Sequence, residues 1–315
     1  MHHIQLSNAA FEGHNSVYLL GDGDADAPTT LVDTGVATTA VEAELRAALD
    51  ERGVAFADVD RVLLTHWHHD HAGLAGAIQN ESDATVFVHE DDADLLAQRG
   101  SARSDLHDAQ EAALHDWGLP DDEREGLLAF NAEHRGLRGE PVDVTELVDG
   151  DTVRLGPFEA EVVHLPGHAA GLVAYVVERE DRREAFVGDA VLPKYTPNVG
   201  GADVRVDRPL AEYLDSLERV EALDLDRAWP GHRGPIIAPT ERARDIAGHH
   251  EERTARVEKA VADLAPATAW EVSAELFGSL AGIHVLHGPG EADAHLDHLV
   301  REGLLEATAD GYVPA

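Results

Sequence analysis

The run His66-Trp67-His68-His69-Asp70-His71 holds four imidazoles and one carboxylate within six residues. Imidazole nitrogen and carboxylate oxygen both suit a borderline divalent metal such as zinc. Where a buried strand stops and the backbone turns, side chains two apart can converge on one point while their neighbours face a second. The chain has no cysteine, so thiolate ligands and cysteine nucleophiles are excluded and any metal must be held by nitrogen and oxygen. Three further segments end strand-like runs on a candidate ligand: Leu165-Pro166-Gly167-His168, Val187-Gly188-Asp189 and Trp229-Pro230-Gly231-His232. His66, His68, Asp70, His71, His168, Asp189 and His232 therefore form a set of seven. That set suffices for two metals, each with three protein ligands and one carboxylate shared, with positions left for water. Such a pair lowers the pKa of water toward neutrality and makes it the nucleophile of a hydrolase.

The elements that must position these residues are legible as a pattern. Val17–Leu20 and Thr30–Asp33 read as a strand pair around an acidic turn, followed by a helix over Ala37–Arg52 with Val41, Leu45 and Leu49 on one face. Arg61–Thr65 is a short buried strand running into the histidine cluster; a helix begins near Ala72, and Ala84–His89 is the next strand. Residues 91–140 read as a helical insertion rich in acids and arginines. Strands resume at Thr152–Leu155, Glu159–His164, Gly171–Glu178 and Glu184–Gly188, then a helix at Leu210–Leu223 and a last strand at Arg227–Trp229. Beyond 240 the pattern is a long helix (Glu241–Leu264), two shorter ones (Ala269–Leu276 and about Glu291–Glu302) and a hairpin within Gly303–Val313. That layout predicts a winged-helix module over 241–315, behind a catalytic domain over 1–240.

Composition bounds the setting. There are 61 acidic and 24 basic residues, a net charge of −37, and only two of the basic residues are lysines, Lys194 and Lys259. The acid is spread along the chain, so a disordered acidic tail does not account for it. A surface so charged repels itself unless ions screen it, and the Debye length falls to roughly 3 Å at 1 M salt. The expected source is a salt-loving organism. The charge also disfavours a nucleic-acid surface. No segment reads as a signal peptide or membrane span, so a cytoplasmic protein is expected.

These motifs resemble those of the metallo-β-lactamase superfamily over roughly residues 1–240. The resemblance implies an α/β fold, a four-layer αββα sandwich with the metals at one edge of its two sheets. It also implies that His66, His68 and His168 hold one metal, that Asp70, His71 and His232 hold the other, and that Asp189 bridges them. Asp33, in Leu31-Val32-Asp33-Thr34-Gly35, would be a non-ligand that orders the ligand loop, although taken alone it reads as a turn aspartate. Asp33 and Asp70 are the expected catalytic carboxylates beside the metals. His69 is expected to point away, and His249, His250 and His284 to be ordinary surface or core residues. The expected cofactor is a pair of zinc ions, with iron or manganese as alternatives.

Two readings of the substrate follow, with a third held beside them. The first is a hydroxyacylglutathione hydrolase (glyoxalase II)-like enzyme acting on a thioester or other small acyl substrate; Lys194-Tyr195 offers a basic-aromatic pair for its thiol part. The second is an endoribonuclease acting on single-stranded RNA, suggested by the tail. Its candidate recognition helix is acidic, and high salt weakens phosphate contacts further. A mononuclear iron enzyme of the sulfur dioxygenase type shares the same motifs. The partner expected is a small molecule; the oligomeric state is open.

Overall fold

The chain opens with strands β1 (His2–Leu6), β2 (Asn15–Leu20) and β3 (Thr30–Val32), then helix α1 (Thr39–Asp50), β4 (Arg61–Leu63), α2 (His69–Ala72), α3 (Ala75–Ser82) and β5 (Thr85–His89). Helices α4 (Glu90–Leu96), α5 (Ala102–Asp116) and α6 (Asp121–Glu133) precede β6 (Val144–Leu147), β7 (Thr152–Leu155), β8 (Phe158–His164), β9 (Val173–Arg179) and β10 (Arg182–Gly188). Then come α7 (Pro209–Ala222), β11 (Arg227–Pro230), α8 (Pro239–Leu264), α9 (Ala269–Phe277), α10 (His284–Arg301), β12 (Leu305–Thr308) and β13 (Gly311–Pro314). This computed structural model describes residues 1–8, 14–133, 135–179 and 181–315, with only the backbone described for 131–133 and 135. Residue 134 of the expected insertion therefore lies outside the described residues.

Two mixed sheets form, one ordered β1-β2-β3-β4-β5-β6 and the other β11-β10-β9-β8-β7. The two-residue period of a strand sends alternate side chains to opposite faces, and the core follows it. Tyr18, Leu20, Val32 and Leu63 of the first sheet meet Val162, Tyr175 and Phe186 of the second in a shared inner layer. Their neighbours Val17, Leu19, Leu31 and Val62 face outward onto Val41, Leu45 and Leu49 of α1 and Ile78 of α3. On the other side Val163, Ala174, Val176 and Val187 pack under Leu210, Tyr213 and Leu217 of α7 and Ile246 of α8. The result is four layers, helix–sheet–sheet–helix.

A third cluster joins the insertion to the tail. Leu114, Trp117 and Leu127 of the insertion pack on Val257 and Val261 of α8, Val272 of α9 and Leu296 of α10. Helix α8 thus belongs to both the catalytic core, through Ile246, and the tail, through Val257. Among the described residues, no helix is long and apolar enough to cross a membrane.

Three elements depart from the pattern reading. β1 and β6 were not anticipated; each has only two apolar residues and gains its place by pairing with β2 and β5. Helix α10 starts at His284 rather than near Glu291 and runs through Gly288-Pro289-Gly290, a helix-breaking run by propensity. Tertiary packing overrides the propensity there: a Cβ on Gly290 would lie 2.3 Å from Gly201 Cα, so the helix is seated where only glycine fits.

Candidate active site

Every candidate site residue follows the carboxyl end of a strand. Asp33 follows β3, the His66–His71 run follows β4, His168 follows β8, Asp189 follows β10 and His232 follows β11. β3 and β4 are parallel, as are β10 and β11, so these ends gather at one edge of the sandwich. Helix α2 begins at His69, with His68 at its N-cap, and its first turn carries Asp70 and His71 into the cluster, the His71 ring centroid 4.2 Å from that of His66.

The side chains form three linked sets, each bringing its ligand atoms within 4.8 Å of one another: His66, His68 and His168; His66, His71 and Asp189; and Asp70, His71 and His232. Asp189 lies between the first and the last, with Oδ2 3.7 Å from His168 Nε2 and 3.3 Å from His232 Nε2, and Oδ1 3.6 Å from His71 Nε2. His232 Nε2 is also 3.4 Å from Asp70 Oδ2. Gly231 makes this convergence sterically feasible, since a Cβ there would lie 2.4 Å from Asp189 Oδ1 and 2.4 Å from His71 Cε1.

The second nitrogen of each imidazole is occupied elsewhere. His66 Nδ1 donates to Thr65 Oγ1 (3.1 Å), His71 Nδ1 to Asp33 Oδ2 (2.9 Å), and His168 Nδ1 to the Asn198 carbonyl (2.8 Å). His68 Nε2 and His232 Nδ1 face the carbonyls of Ala202 and His14, each at 3.3 Å. These partners fix the tautomers and leave a lone pair on each opposite nitrogen pointing into the cluster. Buried His71 Nε2, His168 Nε2 and Asp189 Oδ1 have no hydrogen-bond partner there. Unpaired buried polar atoms are costly, and a shared cation is the natural partner for two imidazole lone pairs and a carboxylate oxygen. The donor set fits a divalent metal pair.

Without a metal, the charges of the cluster act on one another. Burial and the neighbouring imidazoles hold His66 and His68 well below the ordinary histidine value. Burial presses His71 down too, but Asp70, Asp189 and Asp33 outweigh it and hold it well above. Burial alone would raise Asp70, yet His71 and His232 bring it to about 2, and they hold Asp189 well below the carboxylate range.

Asp33 supports the site from behind. Its carboxylate accepts the Thr65 N–H (2.8 Å) and the Thr65 hydroxyl (2.9 Å) besides His71, and its backbone is left-handed at φ 57°. Several supports carried no sequence signal. Asn15 Nδ2 donates to Asp70 Oδ2 (3.1 Å). Asp92 accepts the N–H of Trp67 (3.0 Å) and of Gly171 (3.1 Å); Asp203 accepts the Trp67 indole N–H and the Ala170 N–H, both at 3.0 Å. Arg205 ties the two carboxylates together, so the loop bearing His66 and His68 is bolted to the loop after His168. These contacts join residues far apart in sequence, which no local motif encodes.

A cavity of about 920 Å³ opens on the cluster, walled by the insertion, the loop after Asp189, and helices α9 and α10. His69 and His284 line it, and among the described residues neither joins a ligand set. Burial holds His69 down at about 4. His250 is buried beside His295 and Glu291.

Comparisons with known proteins agree with this geometry. The family model described as metallo-beta-lactamase superfamily matches residues 10–232. A metallo-beta-lactamase family protein from Thermus thermophilus has 31% sequence identity and a TM-score of 0.84, covering 100% of this chain and 98% of its own. The probable metallo-hydrolase YqjP of Bacillus subtilis is 28% identical, covering 94% of this chain and 90% of its own. A relative named atrochrysone carboxyl ACP thioesterase, from Passalora fulva, is 25% identical over 85% of this chain and 64% of its own length.

Proposed function

The chain belongs to the metallo-beta-lactamase superfamily, and from that premise we propose that it is a two-metal hydrolase of a thioester or another small acyl substrate. His66, His68 and His168 would hold one ion, Asp70, His71 and His232 the other, with Asp189 between them and zinc as the first choice of metal. Two such ions supply a Lewis acid for the carbonyl and a water of lowered pKa as nucleophile.

The observation that carries the substrate reading is the cavity. Leu95, Leu106, Leu128, Leu192, Phe277 and Leu280 give it apolar walls directly beside the cluster, as an acyl chain requires. Asp70 and Asp189 are held ionised, as ligands to the metals' positive charge would be. Asp33 fixes the His71 ring, and the Asp92–Arg205–Asp203 clamp fixes the loop of His66 and His68. A thiolate leaves without protonation, so the absence of an obvious general acid is no obstacle.

The arrangement speaks against RNA. Three helices and a hairpin follow residue 239, the layout of a winged helix, but α10, the would-be reading helix, is buried at Leu286, Gly290, Ala294 and Leu296 and lines the cavity. We read 241–315 as a module that completes the pocket, behind a catalytic domain over 1–240, in a cytoplasmic and salt-adapted protein. The test is a direct comparison in molar salt of a lactoylthiol thioester with single-stranded RNA. Faster turnover of the thioester is expected; turnover of RNA well above it would overturn the reading.

A further inference from the structure

Helix α10 does more than wall the cavity. Its backbone meets the loop after Asp189 with no room for side chains between them. A Cβ on Gly201 would lie 2.7 Å from His287 Cα, one on Gly200 would lie 2.5 Å from the Gly290 carbonyl oxygen, and one on Gly290 would lie 2.3 Å from Gly201 Cα. Glycine at these three positions lets loop and helix touch backbone to backbone. The contact accounts for two glycine-rich stretches at once, Gly200-Gly201 and Gly288-Pro289-Gly290.

Asn198 turns this contact into a constraint on the metal centre. Its carbonyl accepts the Nδ1–H of His168 at 2.8 Å. Its side-chain Nδ2 donates to the His287 carbonyl and to Glu291 Oε2, both at 3.0 Å and both on α10. Both partners are acceptors, so the amide has one workable orientation, with its NH2 toward the helix. Glu291 is itself buried and paired with Arg253 of α8. The loop has no regular secondary structure between Gly188 and Pro209, so the place of the Asn198 carbonyl depends on what the loop touches. Arg242 of α8 holds its start, donating to the carbonyls of Leu192 (2.7 Å) and Tyr195 (2.9 Å). Asp203, clamped by Arg205, holds its far part. Asn198 lies between, tied to α10.

We infer that Asn198 is a positioning residue for His168, and that α10, through the His287 carbonyl and Glu291, helps to build a metal site to which it gives no ligand. The partner behind an imidazole sets its tautomer and aims the opposite nitrogen. Here that partner is a backbone oxygen held in place by residues 89 and 93 positions further along the chain. The effect is selective, because Asn198 stands behind His168 and behind none of Asp70, His71 and His232. The inference rests on the proposed assignment of His168 to one ion, and not on the substrate.

The experiment isolates each ligand set. His232→Ala leaves His66, His68 and His168 intact, and His168→Ala leaves Asp70, His71 and His232. Asn198→Ala, which removes the side-chain amide and keeps the carbonyl, is placed in the parent and in both backgrounds. Zinc affinity of the full chain is then measured by chelator competition, with no substrate present. The expected result is a loss of about tenfold or more in the His232→Ala background and a change under about threefold in the His168→Ala background. Gly201→Ala, whose Cβ wedges the loop from the helix, is expected to give the same pattern and serves if Asn198→Ala does not fold. An equal loss in both backgrounds marks a general loosening and overturns the inference. So does an unchanged affinity in the His232→Ala background, or a loss confined to the His168→Ala background. The two-metal reading fails separately, if the parent saturates at one zinc; the response of that ion to Asn198→Ala then decides the inference, weakened binding supporting it and unchanged binding overturning it.

Discussion

Asp33 accepts the Nδ1–H of His71 at 2.9 Å, with both side chains all but inaccessible to solvent. The contact sets which nitrogen of His71 faces the cluster. Asp33→Ala is therefore expected to weaken metal affinity by about 10- to 100-fold, the usual cost of losing a partner behind a ligand. Asp33→Asn should be milder, because asparagine tolerates the left-handed backbone that alanine does not. Chelator competition for zinc measures both; an alanine variant with unaltered affinity would remove Asp33 from the site.

Gly231 sits where the cluster is tightest. Gly231→Ala would press a methyl group against Asp189 Oδ1 and His71 Cε1. The expected result is loss of metal loading and activity in a chain whose far-ultraviolet circular dichroism is unchanged. Normal loading would show that the cluster is looser than described.

Arg205 neutralises Asp92 and Asp203, both fully buried. Arg205→Met strands two carboxylates and is expected to cost about 3–5 kcal/mol of stability in denaturant. Adding Asp92→Asn and Asp203→Asn should restore much of it. A single variant as stable as the parent would mean that the clamp is dispensable.

His89 stacks on His164 with ring centroids 4.0 Å apart, and burial with the neighbouring imidazole holds its pKa down at about 4. A free imidazole titrates near 6.5. Between these values the unfolded chain binds the extra proton, so the stability contributed by neutral His89 is present above pH 6.5 and lost as the pH falls toward 4. Buried His250 and His287, each near 3, add to the same trend. Urea midpoints at pH 7.5 and 5 should differ less in His89→Gln than in the parent; an equal difference would discount His89.

The sequence carried the centre of the site better than its surroundings. Asp189 and His232 were legible because each ends a strand in a short motif, and strand ends converge when strands run parallel. The αββα layers were legible only through the family resemblance; Val17, Tyr18, Leu19 and Leu20 form one apolar run, and it is the structure that parts their side chains to two cores. Asn198, Asp92 and Asp203 were not legible: each acts across long stretches of chain, and a lone asparagine or aspartate in an acidic chain carries no signal. The cavity role of α10 was hidden for another reason. Gly288-Pro289-Gly290 reads as a break, and the close approach to Gly201 that requires glycine at 290 joins segments far apart in sequence.

The most direct test of the account is a zinc titration of metal-stripped protein, followed by thioester hydrolysis. Activity is predicted to be absent at the start and to saturate at two equivalents, with Asp189→Ala failing to respond. Full hydrolysis by the stripped protein would contradict the account at its centre.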